Sequence, residues 1–138
     1  MIFARRCFLF AAITGLMVLL PQYFLEQQIG RNYPPPISHP HLFYGFVGIA
    51  IVWQIAFLII ASDPLRFRPM MIAAILEKLS FAVPTTVLFM TGRSPSVVFG
   101  AAMFDLFLGV LFVLSYLRTA PDRVTPRMAS TTRSGSSM

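Results

Sequence analysis

Four polar side chains interrupt long apolar stretches of this chain: Gln54, Glu77, Lys78 and Asp105. Each type can do chemistry in such surroundings. A carboxyl can carry a proton or hold a cation, an ammonium can pair with a carboxylate, and a carboxamide can donate and accept hydrogen bonds at once. A charge at the centre of a bilayer costs roughly 2.5–3.5 kcal/mol, so three without partners would cost on the order of 9 kcal/mol. They are therefore expected to be paired, neutralised or hydrated.

Spacing indicates which of them can meet. Asp105 has Ala101 four residues before it and Gly109 four after, and Lys78 stands in the same relation to Ala74 and Ala82. Small residues along one helix stripe let backbones approach closely. Lys78 and Asp105 are thus expected to form an interhelical pair that acts as a structural staple. Glu77 lies about 100° around the helix from Lys78, off that stripe. It is expected to face Gln54 or the first apolar run, with no second cation in view. A proton carrier, a cation site and a contact to a partner subunit are all open to it. Gln54, next to Trp53, reads as packing and hydrogen-bond glue. Pro84 frees the Ser80 carbonyl one turn below, and that carbonyl and the Ser80 hydroxyl fall on the Glu77 side.

Other candidates carry less. His39 and His41 share a side of an extended segment and could ligate a metal, but a lone His-Pro-His lacks the third and fourth ligands that zinc wants. They read as part of a proline-stiffened surface loop, and no metal site is expected. Cys7 stands beside the basic Arg5-Arg6 flank, where palmitoylation is conceivable, though an inert buried thiol is the plainer reading. One cysteine excludes a disulfide framework or a vicinal redox pair. No metalloprotease, nucleophile-elbow, phosphate-loop or dinucleotide motif occurs, and no enzyme, cofactor or nucleic-acid partner is expected.

The elements that must position these residues follow from composition. The chain has 138 residues, 57% hydrophobic and only 12% charged, with mean hydropathy +0.74. An average globular domain carries about 25% charged residues. A bilayer core of roughly 30 Å needs about 20 apolar residues in a helix, and four runs qualify, at 7–25, 42–61, 70–90 and 97–117. The expected fold is all-α, an integral membrane bundle of four transmembrane helices over residues 1–117. The first run is taken as retained, since no small-residue cleavage site follows it.

Counted from the run ends, Gln54 and Glu77 each lie seven residues in and Asp105 twelve. At a rise of 1.5 Å per residue these depths are about 10 Å and about 18 Å. The offset between Lys78 and Asp105 is then roughly 6 Å, within reach of a lysine stem.

Lys and Arg counts in the flanks set orientation. Arg5, Arg6, Arg66, Arg68, Arg118, Arg123, Arg127 and Arg133 fall on one side, which makes eight, against Arg31 and Arg93 on the other. Both termini are therefore expected in the cytoplasm. The short connections 62–69 and 91–96 make runs two, three and four antiparallel neighbours. The segment 26–41, with Pro34-Pro35-Pro36, is expected to be a stiff external loop. Residues 118–138 read as a disordered basic tail, whose Arg118, Arg123, Arg127 and Arg133 can meet anionic lipid headgroups. Tyr23, Tyr44 and Tyr116 suit interfacial belts, whereas Trp53 lies too deep for one.

The stretch Ala61-Ser-Asp-Pro-Leu-Arg-Phe-Arg-Pro-Met-Met71, then Ile75-Leu-Glu-Lys-Leu-Ser80, and His39-Pro-His-Leu-Phe-Tyr-Gly45 upstream, resembles small four-span bacterial integral membrane proteins of uncharacterised function. The resemblance spans about residues 34–117 and implies architecture only, with no activity to carry over; a bacterial cytoplasmic membrane is the expected location. Two functions are expected in order. The first is a non-enzymatic accessory subunit or homo-oligomer, with Glu77 at a helix or partner contact. The second is a small proton- or cation-coupled carrier that uses Glu77 as its titrating group. A membrane-embedded enzyme comes last.

Overall fold

The computed structural model describes residues 1–119, so Arg123, Arg127 and Arg133 lie outside the described residues. The chain is helical, with no strand among the described residues: α1 (Ile2–Leu19) runs into a 3-10 turn (Leu20–Phe24), and α2 (Glu26–Asn32), α3 (Pro40–Ser62), α4 (Arg68–Met90) and α5 (Ser96–Arg118) follow. Four of these units are long and apolar enough to cross a membrane: α1 with its 3-10 turn, α3, α4 and α5.

Local sequence explains the boundaries. Pro40 and Pro69 stand in the first turns of α3 and α4, where a missing N–H leaves no bond unmade. Asp63 closes the turn between them, its Oδ1 accepting from the Arg66 N–H at 3.2 Å. Helix α4 ends at Met90, and Gly92 just past its cap is the one described residue with positive φ, at 70°. The Gly92 N–H donates to the Phe89 carbonyl at 3.0 Å and the Arg93 N–H to the Leu88 carbonyl at 2.8 Å. This is the Schellman pattern, and it needs a residue that tolerates the left-handed region.

Segment 26–41 departs from the extended loop expected of it, because its first half is α2. The prolines begin only at Pro34, and Glu26 in the first turn and Arg31 in the last match the helix dipole. α1 also starts earlier than its apolar run, so Arg5 and Arg6 lie on its first turns. Arg118 is the last residue of α5, with its guanidinium 4.6 Å from the Phe3 ring centre, rather than the start of a tail.

The long helices form two pairs. α1 lies along α3, α4 lies along α5, and α1 against α5 joins the pairs. Despite the short 63–67 connection, α3 and α4 meet at few points, one of them Phe46 against Phe81 with ring centres 5.9 Å apart. The close neighbourhood expected of them gives way because the core sits at one end. There Phe8 stacks on Phe112 at 4.1 Å, and Phe57 meets Phe112 edge-on at 5.1 Å. Ala4, Ala11, Ala12, Ala61 and Ala74 are buried around this knot, and their small side chains allow the helices to close. This closed end is where α1 and α4 begin and α3 and α5 finish. Arg68 stacks over Tyr116 there at 3.8 Å and donates Nε–H to its carbonyl at 3.3 Å.

Candidate functional site

Beyond the phenylalanine knot the two pairs leave a cleft of about 530 Å³ between them. All four long helices line it. α1 supplies Thr14 and Gly15, and α3 supplies Phe46, Trp53 and Gln54. α4 adds Glu77, Lys78, Ser80 and Phe81, and α5 adds Ala101, Phe104 and Asp105. The walls are thus largely aromatic and aliphatic, with charge confined to one patch.

That patch is built on α4 and α5. Lys78 Nζ lies 3.0 Å from Asp105 Oδ1 and 3.3 Å from Glu77 Oε2. The lysine side chain is 5% exposed, against 20% for Asp105 and 15% for Glu77. Its stem packs closely on α5 at Gly109, where an added Cβ would stand in van der Waals contact, 3.5 Å from Lys78 Cβ. The ammonium sits 5.2 Å from the Phe57 ring centre, so the aromatic knot forms the floor beneath the charges. The structure therefore brings Lys78 and Asp105 together.

Glu77 stands differently from its sequence expectation. It was expected to lack a cation, because adjacent helical residues point apart. A lysine carries its charge far beyond Cβ, and Lys78 swings its ammonium between the two carboxylates. Glu77 Oε2 is nevertheless buried with no hydrogen-bond partner. The ionised patch holds two carboxylates and one ammonium, an excess of one negative charge. Among the described residues no other charged side chain lines the cleft.

Gln54 and Ser80 border this patch. Gln54 is buried, and its Nε2 donates to the Ala50 carbonyl at 3.0 Å. Its carboxamide fills the notch over Gly15, so a Cβ at Gly15 would collide with it. Among the described residues no hydrogen bond joins Gln54 to Glu77; the two share only the cleft. Ser80 donates its hydroxyl to the Glu77 carbonyl at 2.7 Å, which leaves the side chain at the cleft wall with its proton committed to the backbone.

His39 and His41 lie outside the cleft at the start of α3. Their rings meet edge to face at 5.9 Å, and Ser38 Oγ lies 2.8 Å from His39 Nδ1. Among the described residues no three His, Cys, Asp or Glu side chains gather in a way that could hold a metal ion. Cys7 is a free thiol buried near the closed end.

Sequence reasoning missed two features. The first is the aromatic wall of Phe46, Phe81 and Phe104, which composition assigns by default to lipid or packing; only their recurrence near the polar residues could have suggested it. The second is the hydroxyl of Tyr44, which donates to Glu26 Oε2 at 2.6 Å while Tyr23 stacks on Tyr44 at 5.7 Å. Those contacts pin α2 to α3, and no local spacing signals them. No family of known proteins matches this chain, and no curated protein or solved structure does so either.

Proposed function

We propose that this chain is a multi-pass protein of the bacterial cytoplasmic membrane that binds a small ligand in its cleft and carries it, with Glu77 as the exchanging acid. Both termini and the arginine-rich end of the bundle face the cytoplasm in this reading. Four helices of spanning length support it, as does the placement of Arg5, Arg6, Arg66, Arg68 and Arg118 at one end against Arg31 and Arg93 at the other.

One observation carries the choice of a carrier over an assembly factor. The excess carboxylate stands in a cavity of ligand size, about 530 Å³, that all four spanning helices share. Small-molecule sites fall at roughly 300–1,000 Å³, mostly apolar with a few convergent polar groups. An ionisable residue at membrane depth that faces a cavity marks a substrate or proton path. An accessory subunit would need the Lys78–Asp105 staple but would leave the cleft without a use, unless a partner's side chain filled it.

Native mass measurement on protein extracted with its own lipids separates the two. A bare monomer or homo-oligomer with a small-molecule adduct is expected, and Ala101→Phe, which fills the cleft, removes the adduct. A stoichiometric foreign protein subunit would overturn the carrier reading in favour of the accessory one.

A further inference from the structure

We infer that the cleft selects an amphiphilic organic monocation, a compact apolar body that bears one quaternary or protonated centre. The inference rests on the ligand-binding reading above and adds the charge and chemical class of the ligand. Charge comes first. Lys78 is shared, but one ammonium neutralises one carboxylate, and its shorter contact is to Asp105, 3.0 Å against 3.3 Å for Glu77. The titratable groups facing the site are Glu77 and Lys78 on α4 and Asp105 on α5, whereas α1 and α3 present only neutral groups there, Thr14 and Gln54. With Glu77 ionised the site is short of one positive charge, which either a proton on Glu77 or a cationic ligand supplies, and in the carrier reading the two exchange. An anion would meet an excess of like charge in a low-dielectric cleft, and a neutral solute would leave the excess uncompensated.

The walls supply the second half. Trp53, Phe46, Phe81 and Phe104 bring aromatic rings from three helices to the cavity wall. Aromatic faces attract cations, most strongly where water is excluded, and bury apolar substituents at the same time. Lys78 over Phe57 shows the same preference built into the floor. A hard divalent cation is a poor fit, because among the described residues no three His, Cys, Asp or Glu side chains gather and the Lys78 ammonium already stands between the two carboxylates.

Trp53 is the single tryptophan of the chain and lines the cleft, so its fluorescence reports occupancy directly. The test uses the full chain in lipid nanodiscs with two probes of one shape and opposite charge, tetraphenylphosphonium and tetraphenylborate, each corrected against empty nanodiscs. Saturable quenching by tetraphenylphosphonium alone is expected. Glu77→Gln should weaken it at least about tenfold, Glu77→Asp should keep it, and Ala101→Phe should abolish it. The charge comparison needs only the unsubstituted protein, so it stands even if Glu77→Gln fails to fold. Equal quenching by both probes, lost in Ala101→Phe, overturns the cation assignment and leaves the cleft as a ligand site. No saturable quenching by either probe, or quenching indifferent to Ala101→Phe, overturns the cation assignment and the ligand-binding reading together.

Discussion

Replacing Lys78 with methionine strips one cation from two carboxylates. At an effective dielectric of about 20, the 3.0 Å contact to Asp105 is worth about 5.5 kcal/mol gross and the 3.3 Å contact to Glu77 about 5 kcal/mol. Most of that offsets the cost of taking three ions out of water, which is several kcal/mol per ion. The net value of the intact patch is therefore small. Polar contacts between membrane helices average only about 0.6 kcal/mol and reach about 1.7 kcal/mol. Removing the shared cation alone is another matter, because two desolvated carboxylates are left facing each other. The expected loss is about 3–5 kcal/mol, the range for stranding a buried charge.

The geometry also predicts an order among the single substitutions. Asp105→Leu leaves Lys78 with Glu77, and Glu77→Gln leaves it with Asp105, so each should cost only about 1–2 kcal/mol. The triple change Glu77→Gln, Lys78→Met, Asp105→Leu removes every charge and should return close to the starting stability. Reversible unfolding of the protein in bicelles by added sodium dodecyl sulfate measures all of these. If Asp105→Leu costs as much as Lys78→Met, Glu77 does not share the lysine. If all three single changes are silent, the patch is hydrated and the reasoning fails.

Phe112, fully buried between Phe8 and Phe57, should lose about 3–5 kcal/mol on change to alanine. In the same unfolding assay Phe107→Ala, on an exposed face, should lose under about 1 kcal/mol. Gly15→Ala should destabilise by about 1–3 kcal/mol through its collision with the Gln54 carboxamide, and Gln54→Ala in the same chain should relieve it; additive losses would sink that assignment. Tyr44→Phe removes the 2.6 Å bond to Glu26, and hydrogen exchange over 26–32 should rise by about fivefold to tenfold for a loss of about 1 kcal/mol while α3 and α4 stay protected. In a Cys7→Ser background, Leu65→Cys should react with an impermeant thiol reagent only in inverted membranes and Ser94→Cys only in intact cells; the opposite pattern reverses the proposed orientation.

Long-range pattern was legible in the sequence where a single helix decides the outcome. The four apolar runs became four long helices, and Pro40, Pro69 and Gly92 marked ends because their backbone limits act locally. Lys78 and Asp105 could be paired from their small-residue stripes, since each stripe is a property of one helix. Glu77 was placed wrongly with respect to its cation because a helical wheel locates Cβ atoms, not an ammonium at the end of a long stem. α2 was missed because seven residues have too little intrinsic helicity to announce themselves; Tyr44, eighteen residues from Glu26 in sequence, does the fixing. The cleft was not legible at all. It exists because α3 and α4 fail to close on each other, and short loops argue for the reverse.

That failure to close has an internal logic. The ion pair between Lys78 and Asp105 ties α4 to α5, and the Arg68 bond to the Tyr116 carbonyl ties the same two helices. The fit of Gln54 over Gly15 ties α3 to α1. Each lock lies within one pair of helices. Among the described residues no ion pair and no side-chain hydrogen bond crosses from one pair to the other. What crosses is aromatic packing and cation–π contact: Phe8 on Phe112 and Arg118 over Phe3 at the closed end, Lys78 over Phe57 above them, and Phe46 against Phe81 along the cleft. Such contacts are less directional than ion pairs and hydrogen bonds, though each keeps a preferred ring geometry. A change of angle between the pairs would therefore break no ion pair, and its cost would fall on the Lys78–Phe57 and Arg118–Phe3 contacts. In the proposed carrier the carboxylate-rich patch would stay whole on α4 and α5, so a bound cation would keep its counter-charge through such a change.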